Sequence, residues 1–138
     1  MIFLPDTNAW IRFVNTGDSS VKDRFLSIDP EAIKVCSVVK AELYYGAVKS
    51  SRSAENIALL DGLFMNIESF PFDDSSARRY AQIRAVLDRQ GTPIGPHDLM
   101  IAAIALVRDA VVVTHNTKEF SRVEGLRIEE WEKVPSSS

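Results

Sequence analysis

The sequence predicts an α/β protein of three layers (α/β/α), with a central, mostly parallel sheet flanked by helices. Three observations carry that prediction. Short β-branched apolar runs alternate along the chain with longer segments of helical spacing. The run Val111-Val112-Val113-Thr114 is apolar without alternation, as a strand covered on both faces must be. The segment from Asp98 to Val107 is apolar nearly all round, which suits a central, buried helix.

Each element follows in order. Ile2 to Leu4 reads as a short buried strand, and Asn8 to Val14 as a helix with Trp10 and Val14 four apart. Asn15-Thr16-Gly17-Asp18 is a loop, and Val21 to Leu26 a second helix. Lys34 to Val38 is β-branched and reads as the second strand. Lys40 to Lys49 carries Leu43, Ala47 and Val48 at helical spacing, and the polar Ser50-Ser51-Arg52-Ser53 breaks the path. Ala54 to Phe64 returns to helix, with Ile57, Leu60, Leu63 and Phe64 on one stripe. Ile67 to Phe72 is the third strand. Asp73 or Asp74 caps the next helix, whose inner stripe is Ala77, Tyr80, Ile83 and Leu87, and Gly91 stops it. Thr92 to His97 is a loop, Asp98 to Val107 the central helix, Val111 to Thr114 a strand, and Leu126 to Ile128 a last short strand. No repeat or linker divides the chain, so residues 1–134 are expected to form one domain and residues 135–138 a flexible C-terminal tail.

Composition narrows the function classes. A chain of 138 residues with 46% apolar content can build a packed core and is too apolar for disorder. The net charge of -3 gives no sign of a strongly basic nucleic-acid binder, although a local basic face can sit on an acidic chain. The single cysteine, Cys36, lies in an apolar run, which rules out an internal disulfide framework and a cysteine-rich zinc site. No apolar stretch reaches membrane-spanning length and no signal-type segment opens the chain, so a cytoplasmic protein without a membrane partner is expected.

The placement of the acids is the main functional signal. Asp6 closes the first apolar run, Glu42 follows the second, and Asp98 opens the apolar helix. A lone carboxylate at such a place is costly to desolvate. In an open parallel sheet, ligands collect at the carboxyl ends of strands, where Asp6, Glu42 and Thr114 to Asn116 are expected. Carboxylates held close repel, and a divalent cation relieves that repulsion while activating water for attack on a phosphodiester. The only histidines, His97 and His115, lack zinc-like spacing, so magnesium is expected, with manganese as the alternative.

These residues also carry a resemblance. Leu4-Pro5-Asp6-Thr7-Asn8, Ala41-Glu42-Leu43-Tyr44-Tyr45-Gly46-Ala47, Pro71-Phe72-Asp73, Gly91-Thr92-Pro93-Ile94-Gly95-Pro96-His97-Asp98 and Val113-Thr114-His115-Asn116-Thr117-Lys118-Glu119-Phe120 are similar, in that order, to the PIN-domain ribonuclease toxins of the VapC family. The ending Gly125-Leu126-Arg127-Ile128-Glu129-Glu130-Trp131 fits as well. The resemblance implies a PIN-like fold, a magnesium-dependent endoribonuclease, and the toxic half of a type II toxin–antitoxin pair. It further implies a VapB-type antitoxin, a homodimer, and a hetero-oligomer with antitoxin that binds operator DNA. Two stretches, around Asp98 and around Asn116, resemble the enteric group, for which the family activity is cleavage of the initiator tRNA anticodon loop.

By that resemblance Asp6, Glu42 and Asp98 fall on the three acidic positions, as catalytic residues and as metal ligands. Many PIN domains carry a fourth acid where this chain has Asn116; either Glu119 supplies that charge instead, or Asn116 completes the site as a neutral ligand or water holder. Pro5 replaces the usual larger apolar residue, with no loss of chemistry expected. Thr7, Asn8, Ser37 and Thr114 are candidates to hydrogen-bond the carboxylates or phosphate. Arg78, Arg79, Arg84 and Arg89 read either as a solvated helix face or as a groove for RNA phosphates or an acidic antitoxin segment, and His97 as a loop residue near RNA. Two rival functions stand beside this one: a non-catalytic RNA- or protein-binding module of the same fold, and a phosphatase or phosphoacceptor domain. Asn8 sits where such phosphatases want a second aspartate.

Overall fold

The computed structural model describes residues 1–15 and 19–132. The chain enters through strand β1 (Ile2–Pro5) and helices α1 (Thr7–Val14) and α2 (Ser20–Ser27). A 3-10 turn at Pro30–Ala32 leads to β2 (Val35–Cys36), α3 (Ser37–Val48), α4 (Ser53–Phe64) and β3 (Ser69–Phe70). Then come α5 (Asp74–Gln90), α6 (Pro96–Arg108), β4 (Ala110–Val113), the short α7 (Thr117–Phe120) and β5 (Ile128–Glu129). The expected loop residues Thr16, Gly17 and Asp18 and the expected tail at 135–138 lie outside the described residues.

All pairings of these strands are parallel. Leu4 sits opposite Val112, Val112 opposite Ile128, and Cys36 opposite Phe70. The ladders form a three-stranded piece, β1-β4-β5, and a two-stranded piece, β2-β3. A bridge from Phe3 to Ile33 and the bond from Lys34 N to Phe3 O (2.9 Å) join them in the order β3-β2-β1-β4-β5. The expected parallel sheet is thus present, with β2, β3 and β5 shorter than expected, β1 one residue longer, and β4 shifted back by one residue to start at Ala110.

The local chemistry explains the element ends. Asp6 caps α1 by accepting from Ala9 N (3.0 Å), and Asp73 caps α5 by accepting from Ser76 N (2.9 Å). Gly91 ends α5 in the left-handed region (φ 68°), as its sequence position predicts. Asp109 ends α6 with φ 55°, an uncommon conformation for a residue with a Cβ. Arg127 Nη2 holds it there, donating to the Asp109 carbonyl (3.0 Å) and carboxylate (2.8 Å).

An aromatic cluster ties several helices to the sheet. Trp10 packs against Phe25 (5.0 Å between centroids) and Phe64 (5.3 Å), and Trp131 packs against Phe25 (5.2 Å) and Phe3 (5.5 Å). Each such pair adds about 0.5–1.5 kcal/mol beyond area burial. Trp10 and Trp131 are therefore core residues, as is the fully buried Cys36. Elsewhere α5 packs along α6, whose Ile101, Ala102 and Ile104 are fully buried.

Several expectations need correction. Ser37 and Val38 belong to α3, because the strand breaks off at Cys36 and the following backbone turns helical at once. His97 lies in the first turn of α6, where Pro96 opens the helix, and not in a loop. On α5 the inward stripe is the buried Ser76 and Leu87 with the half-buried Tyr80 and Ile83, while Ala77 is exposed. Val48 is also exposed, at the far end of α3. The helix α7 and the turn at Pro30–Ala32 are additions, both too short to show periodicity.

Candidate metal and active-site cleft

From β1 the chain builds β2 and β3 on one side and then returns to build β4 and β5 on the other. The carboxyl ends of β1 and β4 therefore flank the point where strand order reverses, the usual crevice of an open parallel sheet. Asp6 follows β1 directly, and its N–H extends the ladder to Val113 O (2.9 Å). Thr114, His115 and Asn116 follow β4. Asp98 comes from the first turn of α6 and Glu42 from the second turn of α3. Glu119 comes from α7.

Asp6 is almost fully buried. Burial raises its carboxyl pKa, hydrogen bonds from Thr114 and the Ala9 N–H oppose the rise, and Glu42 adds to it. Asp98 is pushed from 3.8 to about 6, first by burial and then by the charges of Asp6 and Glu119. The Asn116 amide offsets part of this, and Glu42 adds a smaller upward push. Asp98 thus senses all three other acids, so residues far apart in sequence share one electrostatic neighbourhood.

The supporting contacts are specific. Thr7 Oγ1 donates to Glu42 Oε1 (2.9 Å), linking α1 to α3. His97 Nδ1 lies 3.6 Å from the other Glu42 oxygen. Asn116 Nδ2 donates to Asp98 Oδ2 (3.3 Å) and to Glu119 Oε2 (2.6 Å). Thr114 Oγ1 accepts from the Asn116 N–H (2.9 Å). Of the expected supporting residues, Thr7 and Thr114 therefore reach the acids. Ser37 instead accepts from Phe72 N (3.2 Å), and Asn8 is exposed.

A cavity of about 610 Å³ adjoins Glu42, lined among others by Thr7, Ser37, Tyr45, Phe72, His97 and Met100. Phe72 and Met100 escaped the sequence reading, since an apolar residue at the end of an apolar run or on an apolar helix looks like core. Arg78, Arg79, Arg84 and Arg89 lie on α5 and do not line this cavity. Arg84 instead donates to Tyr80 Oη (3.1 Å) and faces Asp88 (3.9 Å).

The donor set fits an oxygen-loving divalent cation. Every candidate ligand is a carboxylate or amide oxygen, and the buried Cys36 thiol, pushed up to about 11, is unsuited to metal binding. Among the described residues, no three His, Cys, Asp or Glu side chains are drawn in tightly enough to enclose an ion. The acids form an open, charge-coupled cleft, the kind of site in which magnesium keeps several waters.

Comparison with known proteins agrees with this fold. A family model described as PIN domain matches residues 3–126. The tRNA(fMet)-specific endonuclease VapC of Shigella flexneri is 42% identical over 129 residues, covering 94% of this chain and 97% of the relative. A chain of the DNA-bound VapBC structure from Salmonella typhimurium superposes with a TM-score of 0.87 at 39% identity, over 95% of this chain and 98% of its own. A chain of VapBC2 from Rickettsia felis, bound to a promoter DNA fragment, gives a TM-score of 0.84 at 32% identity, over 96% and 100%.

Proposed function

The chain belongs to the PIN-domain family, as a ribonuclease toxin of the VapC type, and on that premise we propose that it hydrolyses initiator tRNA with a divalent cation held by Asp6, Glu42 and Asp98. The observation that carries this reading is the convergence of Asp6, Glu42, Asp98 and Glu119 from four separate elements at the β1–β4 crevice.

Magnesium or manganese, when bound, supplies an activated water and stabilises charge on the phosphate. The chain's own groups then have distinct tasks. Asp6 is held by the Ala9 N–H, which donates to its Oδ1 (3.0 Å), and that bond sets the direction of its carboxylate. Glu42 is steadied by Thr7 and orients the attacking water, with His97 beside it. Attack by water, and not by the RNA 2′-hydroxyl, leaves a 5′-phosphate and a 3′-hydroxyl.

The choice of tRNA rests on the Shigella relative, a tRNA(fMet)-specific endonuclease VapC. An anticodon loop suits the cleft physically, because its unpaired nucleotides can be splayed toward a strand-end crevice. The partner is a VapB-type antitoxin, and the complex binds operator DNA, as supported by the DNA-bound VapBC neighbours. The toxin itself acts as a homodimer of single PIN domains (residues 1–134) in the cytoplasm. No helix among the described residues is long and apolar enough to cross a membrane.

The test is cleavage of total RNA by the purified full chain, with RNA ends sequenced. Asp6→Asn and Asp98→Asn are expected to abolish cleavage while circular dichroism stays unchanged. Full activity in excess EDTA overturns the metal reading. RNA binding without cleavage in added magnesium and manganese favours the non-catalytic module.

A further inference from the structure

Asn116 is the N-cap residue of α7, yet its side chain makes no capping bond. That is unusual for asparagine, which at this position ordinarily satisfies a free helix N–H. Here the bond to Thr114 Oγ1 fixes the Asn116 backbone, and the side chain turns toward the crevice. Its amide has two protons, and both are committed: one to Asp98 at 3.3 Å and one to Glu119 at 2.6 Å. Two carboxylates facing each other without a donor between them would repel. A carboxylate at position 116 could not act as this donor, whereas a neutral primary amide serves both acids from one nitrogen.

We propose that Asn116 is a positioning residue that clamps the Asp98 and Glu119 carboxylates on one amide, so that Asn116 and Glu119 work as a pair in place of a single acid at position 116. Glu119 supplies the charge from α7, and Asn116 fixes where that charge points. This rests on the proposed cation site, but the clamp itself is visible without any ion. The Asn116 side-chain oxygen, Oδ1, has no hydrogen-bond donor among the described residues and can accept from a water or an RNA hydroxyl.

A double-mutant cycle of Asn116→Ala and Glu119→Gln on the full chain decides it, read in two ways. The first is Mn²⁺ affinity by titration calorimetry. Each single substitution is expected to weaken binding roughly tenfold or more, as for groups that orient metal ligands. Glu119→Gln is expected to cost little further once Asn116 is gone. The second is the urea midpoint of the metal-free protein, where the two substitutions are expected to be non-additive. Independent, multiplying effects on affinity together with additive midpoints overturn the clamp, as does an Asn116→Ala protein with unchanged Mn²⁺ affinity and midpoint. If the wild-type chain binds no Mn²⁺, the cation site fails, and the metal-free cycle alone judges the clamp. Should Asn116→Ala not fold, Asn116→Ser takes its place, since it keeps a small polar side chain without the two-proton donor.

Discussion

Asp98 is the residue whose ionisation costs this protein most visibly. Its raised pKa means that the folded state holds a proton more tightly than the unfolded chain does. Stability of the metal-free protein should therefore fall as pH rises from about 4 through about 6, and stay low above that. Asp98→Asn removes the penalty. At pH 7.5 without metal it is expected to stabilise the fold by on the order of 1 kcal/mol, a figure discounted because the carboxylate is only half-buried. Chemical denaturation with EDTA present checks this, and a destabilised variant would sink the electrostatic account. The same argument gives a sign for added cation. Mg²⁺ is expected to raise the melting temperature more at pH 7.5 than at pH 5, where Asp98 is already largely protonated.

At the scale of elements, the short pieces set the site while the long ones hold it. The helix α5 was legible in outline from Asp73 and Gly91, its cap and its stop. Its inner stripe was misread by one position at its start, because Ala77 is apolar and Ser76 is not. Counting back four from Tyr80 would have found Ser76. Gly91 offers a clean measurement, since a Cβ there meets open space and only the left-handed backbone opposes it. Gly91→Ala is expected to cost about 1–2 kcal/mol in a urea melt, from backbone conformation alone. An unchanged midpoint would show that the αL cap contributes nothing. The turn to α7 was illegible, as four residues cannot display a helical period. Yet α7 carries Glu119, which accepts from Asn116 at its N-cap, so the least readable element builds the Asn116–Glu119 corner of the cleft.

Across the whole molecule, the core and the cleft are built from the same parts. Trp10 stands four residues after Asp6, buried against Phe25 and Phe64. Its packing fixes α1, whose cap is the Asp6 carboxylate and whose first residue steadies Glu42. Trp10→Ala is expected to cost about 3–5 kcal/mol of stability. It should also weaken Mn²⁺ binding in the fraction that remains folded, which calorimetry below the melting temperature would reveal. Unaltered Mn²⁺ binding in that fraction would show that the cleft does not depend on this cluster.

The α/β alternation, the buried character of the β4 and α6 segments, and the residue types of the cleft can all be read along the chain. These are local properties: apolar period, capping chemistry, and acids stranded at the ends of apolar runs. The short tertiary links were decided only by the folded chain. Strand order puts the ends of β1 and β4 side by side, because the path builds outward from β1 in one direction and then in the other. That arrangement brings Asp6 near Asp98, although 91 residues separate them by numbering. Which partner completed the cluster was likewise a tertiary matter. Asn116 and Glu119 looked like competitors for one role in the sequence, and the fold joins them by a hydrogen bond because a neutral amide can bridge two carboxylates where a third acid could not.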